Sequence, residues 1–499
     1  MIWKTNLRRL CTLYGRMLYL VEPDLNFDIY FNDLSATKRL LDCRGVMGNV
    51  NLSALRSDYF NWKQLKCEQE KLQNLHTYLM KLCSEKSDEK SENGCTSDEF
   101  RRLQECITKL KSINKEILRT EKVIETCLAL PNDLDAETPI GDEEKLLLKH
   151  EGKLLKQCEH ENLLQKKGWL FSKNAPYQCF LSGRAAILLD LLEQFVTSVF
   201  SNAKLTFISP SYFVRMPILE TCLMSISDFL QIEEKEYGAN DRAVTLNVVG
   251  HSLLAYLCLF TRRAVTSNVC LPLKLYSFGN SYKNNKKNSD KPNSVLLQCN
   301  QRRVLTAFAL TDSSESVSAI MKEISQQLVN ILKSLDIDYA CYRQPSMKLL
   351  PSQRSSISFR IQTCASQSEH DIATVSDYGT FFSRRLRIMT EDKTYLHCVY
   401  SEINIFCLLA SFIERWWSEQ DQSTLPPQNA PLQPNEIRWR KIRKKNTVVS
   451  GNFNVDNIFQ NSSETSNTII TRQQFLISEK RGVLCMFNFL FKIVSASLQ

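Results

Sequence analysis

Residues 100–128, FRRLQECITKLKSINKEILRTEKVIETCL, carry apolar side chains at alternating spacings of three and four. This spacing places one apolar stripe along an α-helix. Residues 58–83 repeat the pattern without glycine or proline, and a polar break separates the two runs. The sequence therefore predicts an antiparallel helical hairpin, a coiled-coil arm over about residues 58–130. The predicted stripe consists of Leu65, Leu72, Leu75, Leu79, Leu82, Phe100, Leu103, Ile107, Leu110, Ile117, Ile124 and Leu128, with Asn114 and Glu121 at two polar positions.

The composition outside the arm is that of a globular protein with more than one domain. The chain has 499 residues, 43% of them hydrophobic, and a formal charge of +9. No apolar run reaches the ~18 residues that a membrane helix needs, so we expect no transmembrane segment. The 18 cysteines are scattered and the six histidines lack metal-ligand spacing, which favours reduced thiols and no metal site. Only 14 glycines are present, and this scarcity counts against close backbone contact with a nucleotide.

The two ends of the chain differ in composition from its middle. Residues 1–21 contain four basic residues and no acid, interleaved with leucines, which is typical of a mitochondrial targeting segment. We therefore predict such a segment over residues 1–24 and location in the mitochondrial matrix. Residues 434–499 combine a basic cluster with a polar, Asn- and Ser-rich stretch, and we predict a basic, largely disordered tail.

Seven short motifs then follow in an order that resembles a seryl-tRNA synthetase. Among them, the arm closes on a Leu-Pro-Asn element at 130–132, residues 208–215 (ISPSYFVR) resemble the end of class II motif 1, and residues 383–388 (SRRLRI) resemble the stretch before motif 3. The resemblance implies an α+β fold, in which the arm domain (25–134) precedes an antiparallel sheet flanked by helices (135–433). It is closest to the catalytically degenerate, seryl-tRNA synthetase-like insect mitochondrial proteins.

The positions that bind serine in the family are replaced in this chain. The resemblance aligns Val249, Gly250 and His251 with a Thr-Ser/Ala-Glu triplet that contacts the amino acid. A valine donates no hydrogen bond, and a histidine does not attract an ammonium group. The sequence therefore predicts that serine recognition is lost.

The positions that bind ATP and magnesium in the family are also replaced. Lysine substitutes for an arginine, and apolar or amide side chains substitute for charged ligands, which removes electrostatic stabilisation of about 3–4 kcal/mol per donor. The resemblance implies no ATP or magnesium cofactor and a repacked pocket. The aligned positions are Lys283, Asn285, Leu297, Gln301, Leu305, Asp371, Asp377 and Cys407.

The dimer-forming elements of the family remain apolar. The helix over residues 185–200 and the strand over 204–210 correspond to motif 1, the dimer interface of class II synthetases. The interface residues that we predict are Leu188, Leu192, Phe195, Phe207 and Pro210. The resemblance therefore implies an inactive paralogue that acts by association, with the genuine mitochondrial seryl-tRNA synthetase as its heterodimer partner in support of mitochondrial translation.

Two other functions stay open. An RNA-binding module could use the arm and the basic loop 282–291 to contact tRNA. However, the arm carries equal numbers of basic and acidic residues, so it has no excess charge for phosphates. A divergent but active serine-tRNA ligase would need an intact ATP site, which the aligned positions do not provide.

Overall fold

The computed structural model describes residues 21, 23–46, 51–88, 97–153, 158–172, 179–232, 245–266, 269–284, 295–364 and 369–416. The helices are α1 (Asp28–Phe31), α2 (Leu34–Cys43), α3 (Leu52–Asp88), α4 (Ser97–Leu128), α5 (His160–Lys166), α6 (Gly183–Asn202), α7 (Met216–Thr221), α8 (Leu253–Phe260), α9 (Val295–Gln298), α10 (Ser314–Ser334), α11 (Phe381–Leu386) and α12 (Ile405–Trp416). The strands are β1 (Lys145–His150), β2 (Leu170–Phe171), β3 (Phe180–Leu181), β4 (Thr206–Phe207), β5 (Phe213–Arg215), β6 (Leu230–Ile232), β7 (Leu246–Val248), β8 (Ala264–Val265), β9 (Leu273–Tyr282), β10 (Gln301–Thr311), β11 (Tyr339–Arg343), β12 (Ser355–Gln362), β13 (Glu369–Gly379), β14 (Met389–Thr390) and β15 (His397–Asn404). The predicted tail 434–499, Asn285 and most of the basic loop lie outside these residues.

Helices α3 and α4 pack as an antiparallel hairpin. The Gln69 amide donates to Asn114 Oδ1 (2.5 Å), and farther along α3 the Leu72 carbonyl accepts from the Cys106 thiol (3.4 Å). A later residue of α3 therefore contacts an earlier residue of α4, so the two helices run in opposite directions. The predicted helical hairpin is confirmed.

The buried seam of the hairpin is narrower than the predicted stripe. Leu79, Leu103 and Cys106 are buried, but Leu75 is 45% exposed and Phe100 is 55% exposed. The prediction was wrong for these last two side chains. An α-helix has 3.6 residues per turn, so a strict seven-residue repeat drifts off the contact line in straight helices.

The base of the arm is held on the second domain by one buried guanidinium group. Arg44 donates to the carbonyls of Asn132 (2.9 Å), Asp133 (3.1 Å), Gln353 (2.5 Å) and Leu350 (3.2 Å). Burial lowers the pKa of Arg44 to about 10, so the group stays charged at neutral pH. Charge-assisted hydrogen bonds of this kind fix the arm on the sheet domain.

Two residues of the predicted targeting segment 1–24 contact the second domain. Val21 is fully buried in the core of the second domain, and the Asp24 N–H donates to the Arg384 carbonyl (2.8 Å). Residues 1–20 lie outside the described ranges, and the targeting segment stays a prediction.

Eight strands form the central sheet in the order β1-β11-β12-β13-β15-β10-β9-β4. All neighbouring pairs are antiparallel except β4 and β9, which are parallel. Helices flank the sheet, so the predicted α+β class with an antiparallel sheet is confirmed. Within the described ranges, no helix has the length and apolar character required to cross a membrane.

The two faces of the sheet pack against different helices. One row of paired residues across the central strands consists of Thr374, Glu402, Thr306 and Ser277. The adjacent row, which points the other way, consists of Ala373, Ile403, Leu305 and Phe278. The first row lies on the face that α8 covers, which we call the α8 face. The second lies on the face that α6, α10 and α12 cover, which we call the α10 face.

Candidate functional site

A cleft of about 800 Å³ opens on the α8 face of the central strands. Its wall includes side chains of β9, β10, β13 and β15, the turn before β6, and the beginning of α8. Ala129 and residues 350–353 close it toward the base of the arm. The pocket has therefore not filled with core side chains, and the prediction of a repacked pocket was wrong in this respect.

An ion pair lies on the wall of the cleft. Arg302 Nη2 is 3.2 Å from Glu402 Oε1, and each side chain is 20% exposed. The Tyr400 hydroxyl donates to Glu402 Oε2 (2.9 Å), and burial raises the pKa of Tyr400 well above its ordinary value, so this donor keeps its proton. The guanidinium of Arg302 is thus held by a carboxylate of the same wall.

The charge balance of the cleft is negative among its described residues. Asp228, Asp371 and Glu402 contribute three carboxylates, whereas Lys283 and Arg302 contribute two cations. Asp371 is further neutralised by Arg360, whose Nε lies 3.1 Å from Asp371 Oδ1. Over the described part of the chain, no three His, Cys, Asp or Glu side chains are arranged to hold a metal ion.

The three predicted serine-binding positions lie outside the wall of the cleft. Val249 is fully buried, and Gly250 has φ +61°, where an added Cβ would lie 2.1 Å from the Asn280 carbonyl oxygen. His251 Nδ1 lies 3.0 Å from Ser277 Oγ, and burial lowers the pKa of His251 to about 4. The imidazole is therefore neutral at physiological pH.

Strand β10 places two of the predicted degenerate ATP-site positions on the face opposite to the cleft. Gln301 and Leu305 alternate with Arg302 and Thr306, and Leu305 belongs to the apolar core on the α10 face. The residues of β10 that point to the α8 face are therefore one position away from the aligned ones. Leu297, just before β10, packs partly buried against the same α10-side core. A shift of one residue reverses the face of every side chain in a strand.

The remaining predicted ATP positions are divided between the cleft and the core. Lys283 and Asp371 line the cleft, but Asp377 and Cys407 do not. Cys407 is buried on the α10 side, and Asp377 Oδ2 lies 3.2 Å from Arg354 Nη1. Burial raises the pKa of Asp377 to about 6.

The predicted dimer interface is only partly exposed. Leu188, Leu192 and Phe195 are buried in the α10-side core of their own chain, so in the single chain they present little surface to a partner. Phe207 is 52% exposed and Pro210 is half-buried. The apolar face of α6 was assigned to a partner although the sheet of the same chain covers it.

A second apolar surface was missed by the sequence interpretation. Strands β5, β7 and β6 form a small antiparallel sheet, in which Phe213 and Leu230 both pair with Val248. Phe213, Leu230 and Ile232 are 46%, 41% and 37% exposed, respectively, whereas Asn247, on the opposite face of β7, is fully buried. We call this exposed face of the small sheet the β5–β7–β6 face. Phe207 and Pro210 precede this face in the chain, on β4 and on the segment that joins β4 to β5.

The Arg302–Glu402 pair was also missed. Glu402 is the one acid in the largely buried strand β15, and an acid in such a strand was the available signal. Arg302 sits beside the residues that the alignment selected, but only the register of β10 shows that it points into the cleft.

The fold and part of the sequence are similar to those of known proteins. No protein-family model matches the chain. It is 23% identical over 399 residues to the serine-tRNA synthetase-like protein Slimp of Drosophila melanogaster, covering 76% of this chain and 82% of that protein. The structure is similar to seryl-tRNA synthetase from Pyrococcus horikoshii, with a TM-score of 0.64, 14% identity, and 79% and 94% of the two chains covered.

A further structural match is the cytoplasmic serine-tRNA ligase of Naegleria fowleri, with a TM-score of 0.62 and 12% identity over 77% of this chain and 91% of that one. The chain is therefore similar in sequence to a seryl-tRNA synthetase-like protein, and it shares the fold of the two seryl-tRNA synthetases of known structure.

Proposed function

We propose that the chain is a catalytically inactive seryl-tRNA synthetase paralogue that works in mitochondria by association with the genuine mitochondrial seryl-tRNA synthetase. The observation that carries the proposal is the exposed β5–β7–β6 face beside Phe207 and Pro210. Exposed, contiguous apolar surfaces on soluble proteins are commonly sites of protein association. Two related chains present related surfaces, so the genuine synthetase is a suitable partner for this chain in a pseudo-symmetric heterodimer.

The charge of the cleft supports the loss of serylation. Adenylation of an amino acid requires cations that hold the triphosphate and stabilise developing charge. In the described part of the cleft, Arg302 is engaged by Glu402, and three carboxylates face two cations. A triphosphate would therefore find no excess of positive charge in the described part of the cleft. Among its described residues the cleft offers no free arginine fork, and the Asp371 carboxylate on its wall is paired with Arg360.

The experiment is co-expression of this chain with the mitochondrial seryl-tRNA synthetase of the same organism. We expect a one-to-one complex by size-exclusion chromatography with light scattering, and serylation only in samples that contain the genuine enzyme. The double variant Phe213→Asp/Leu230→Asp should abolish co-elution, because two carboxylates would be placed on the β5–β7–β6 face.

The matched control changes exposed leucines at the opposite edge of the central sheet. Leu146 and Leu148 on β1 are 52% and 39% exposed, and the double variant Leu146→Asp/Leu148→Asp should leave the complex intact. Serylation by the purified chain alone would overturn the inactivity. Equal binding by both double variants would overturn the assignment of the interface.

A further inference from the structure

Strand β1 lies at the open end of the central sheet. It pairs with β11 from Lys145 opposite Arg343 to His150 opposite Tyr339, and among the described strands it has no neighbour on its other side. The outer edge of a terminal strand presents backbone N–H and C=O groups that the sheet leaves unpaired. A further extended segment can bind there through main-chain hydrogen bonds.

Three consecutive leucines make this edge apolar. Leu146, Leu147 and Leu148 are 52%, 41% and 39% exposed, respectively, and Leu147 lies at a register shift where it has no paired residue on β11. Lys145 and Lys149 flank the leucines and are also exposed. Native proteins usually cover or protect such an edge, because it can otherwise pair with other molecules. A segment that fits this edge has apolar side chains and a neutral or acidic charge.

The chain leaves the described structure beside the end of β1. Helix α12 ends at Trp416, whose Nε1–H donates to the Leu335 carbonyl (3.0 Å). Arg415 pairs with Asp338, and Asp338 Oδ1 also accepts the N–H of Gly152 (2.6 Å), two residues after β1. The segment that follows residue 416 therefore begins next to the last residues of β1.

One stretch of the sequence that follows has the composition that this edge requires. Residues 447–459 (TVVSGNFNVDNIF) contain six Val, Ile or Phe residues, no proline and no basic residue, and Asp456 is their one charged group. β-branched and aromatic residues of this kind favour extended structure. In contrast, the apolar residues 482–494 contain Lys492 and directly follow Arg481. Charge therefore favours residues 447–459 as the segment that fits the lysine-flanked edge.

Residues 417–446 provide enough length for this contact. A flexible linker of that length spans about 30 Å on average. Strand β1 is only about 20 Å long. Residues 447–459 can therefore reach every part of the β1 edge.

We propose that residues 447–459 bind the open edge of β1 as a ninth strand of the central sheet. Main-chain hydrogen bonds join the two strands, and the Val, Ile and Phe side chains cover the three leucines. Lys149 Nζ lies 2.8 Å from Glu151 Oε1, so Asp456 is assigned to Lys145. The added strand closes this edge against pairing with a second molecule.

The first test is hydrogen–deuterium exchange of the full-length, purified chain, read by mass spectrometry on peptides of β1. The double variant Phe453→Pro/Val455→Pro removes two N–H donors from the added strand and prevents its pairing. We expect the β1 peptides to exchange about tenfold faster in this variant, and β12 peptides to remain unchanged. The matched control, Phe489→Pro/Phe491→Pro, makes the same kind of change in residues 482–494 and should leave β1 exchange as in the unmodified chain.

The second test is carbodiimide coupling, which joins carboxyl groups to amines that are in direct contact. We expect a cross-linked peptide that joins Asp456 to Lys145, and Asp456→Asn should abolish this peptide. The coupling is repeated in an equal mixture of unlabelled and nitrogen-isotope-labelled chains. A contact within one chain gives no mixed-isotope peptide.

Three results would overturn the proposal. The first is β1 exchange that Phe453→Pro/Val455→Pro leaves unchanged, and the second is faster β1 exchange in the control variant instead. The third is a mixed-isotope peptide, which would show that a second copy of the chain covers the edge. All measurements use the chain without any synthetase, and β1 lies at the end of the sheet opposite to β4, so the results do not depend on the proposed association.

Discussion

Arg302 and Arg303 are neighbours in the chain, yet they serve opposite faces of the same sheet. Arg302 points into the cleft on the α8 face and pairs with Glu402. Arg303 points to the α10 side, where it pairs with Glu193 of α6 and lies over the Phe278 ring. Both pairs join an arginine to a glutamate, but one lines an open cavity and the other joins a helix to the sheet.

The comparison indicates which face of the sheet is sensitive to substitution and which face tolerates it. The α10 face is a continuous apolar core in which charges occur only in pairs, whereas the α8 face combines buried hydroxyl groups with an open cleft. Substitutions on the α10 face should therefore affect mainly stability. Those around the cleft should have smaller effects on stability, since water can solvate the altered groups.

The largest effect is expected from Leu305→Glu. Leu305 is 1% exposed on the α10 face, so an unpaired carboxylate there should lower the free energy of unfolding by about 4 kcal/mol or more. Leu305→Met is the control, with a cost below about 1.5 kcal/mol. Urea denaturation checks both. An unchanged midpoint for the glutamate variant would mean that Leu305 faces the cleft after all.

The second-largest effect is expected from the Arg303–Glu193 pair, which should contribute more to stability than the Arg302–Glu402 pair. Glu193 is 6% exposed, and Glu193→Gln should cost about 2 kcal/mol because Arg303 would lose its charged partner near the core. Glu402→Gln should cost less than about 1 kcal/mol, since the cleft admits water to Arg302. Urea denaturation of the two variants measures both losses of unfolding free energy. Equal losses would contradict the predicted difference in stability between the two faces.

A smaller effect is expected from the hydroxyl network under the cleft. The buried Tyr256 hydroxyl donates to Ser277 Oγ (2.9 Å) and lies 3.0 Å from Thr306 Oγ1. Tyr256→Phe should cost about 1.5 kcal/mol by leaving these hydroxyl groups with fewer partners. Tyr342→Phe is the control, because that hydroxyl bonds Glu369 at the surface and its loss should be nearly neutral. Thermal unfolding of the two variants distinguishes them.

The smallest effect is a pH dependence due to His251. Its pKa in the folded protein is about 4, below the ordinary value of 6.5, so the unfolded chain takes up the proton first as pH falls. Stability should therefore decrease between pH 6.5 and pH 4, by about 1 kcal/mol after solvent screening.

His251→Gln should remove this part of the acid sensitivity. Asp377 acts in the opposite direction, because its raised pKa of about 6 lets the folded state bind a proton first. Subtracting the unfolding free energy of His251→Gln from that of the unmodified protein at each pH cancels the Asp377 contribution, since Asp377 is present in both proteins. Identical pH profiles would show that His251 is solvated in the folded state.

The sequence alone was enough for the architecture. The repeat in residues 100–128 predicted the arm because apolar spacing along a helix is a local property, and seven ordered motifs predicted the class II sheet that the structure has. The sequence also predicted which residue types occupy the positions aligned with the synthetase motifs. Their chemical types are independent of where each side chain points.

Only the tertiary structure decided which of those residues share a site. Leu305 and Arg302 exchange faces with a one-residue change of register, and the apolar residues of α6 are buried by their own sheet and not by a partner. The exposure of Phe213 likewise depends on a small sheet whose strands β5 and β7 are distant in sequence. Strand register and packing between distant segments are non-local, so no spacing along the chain reveals them.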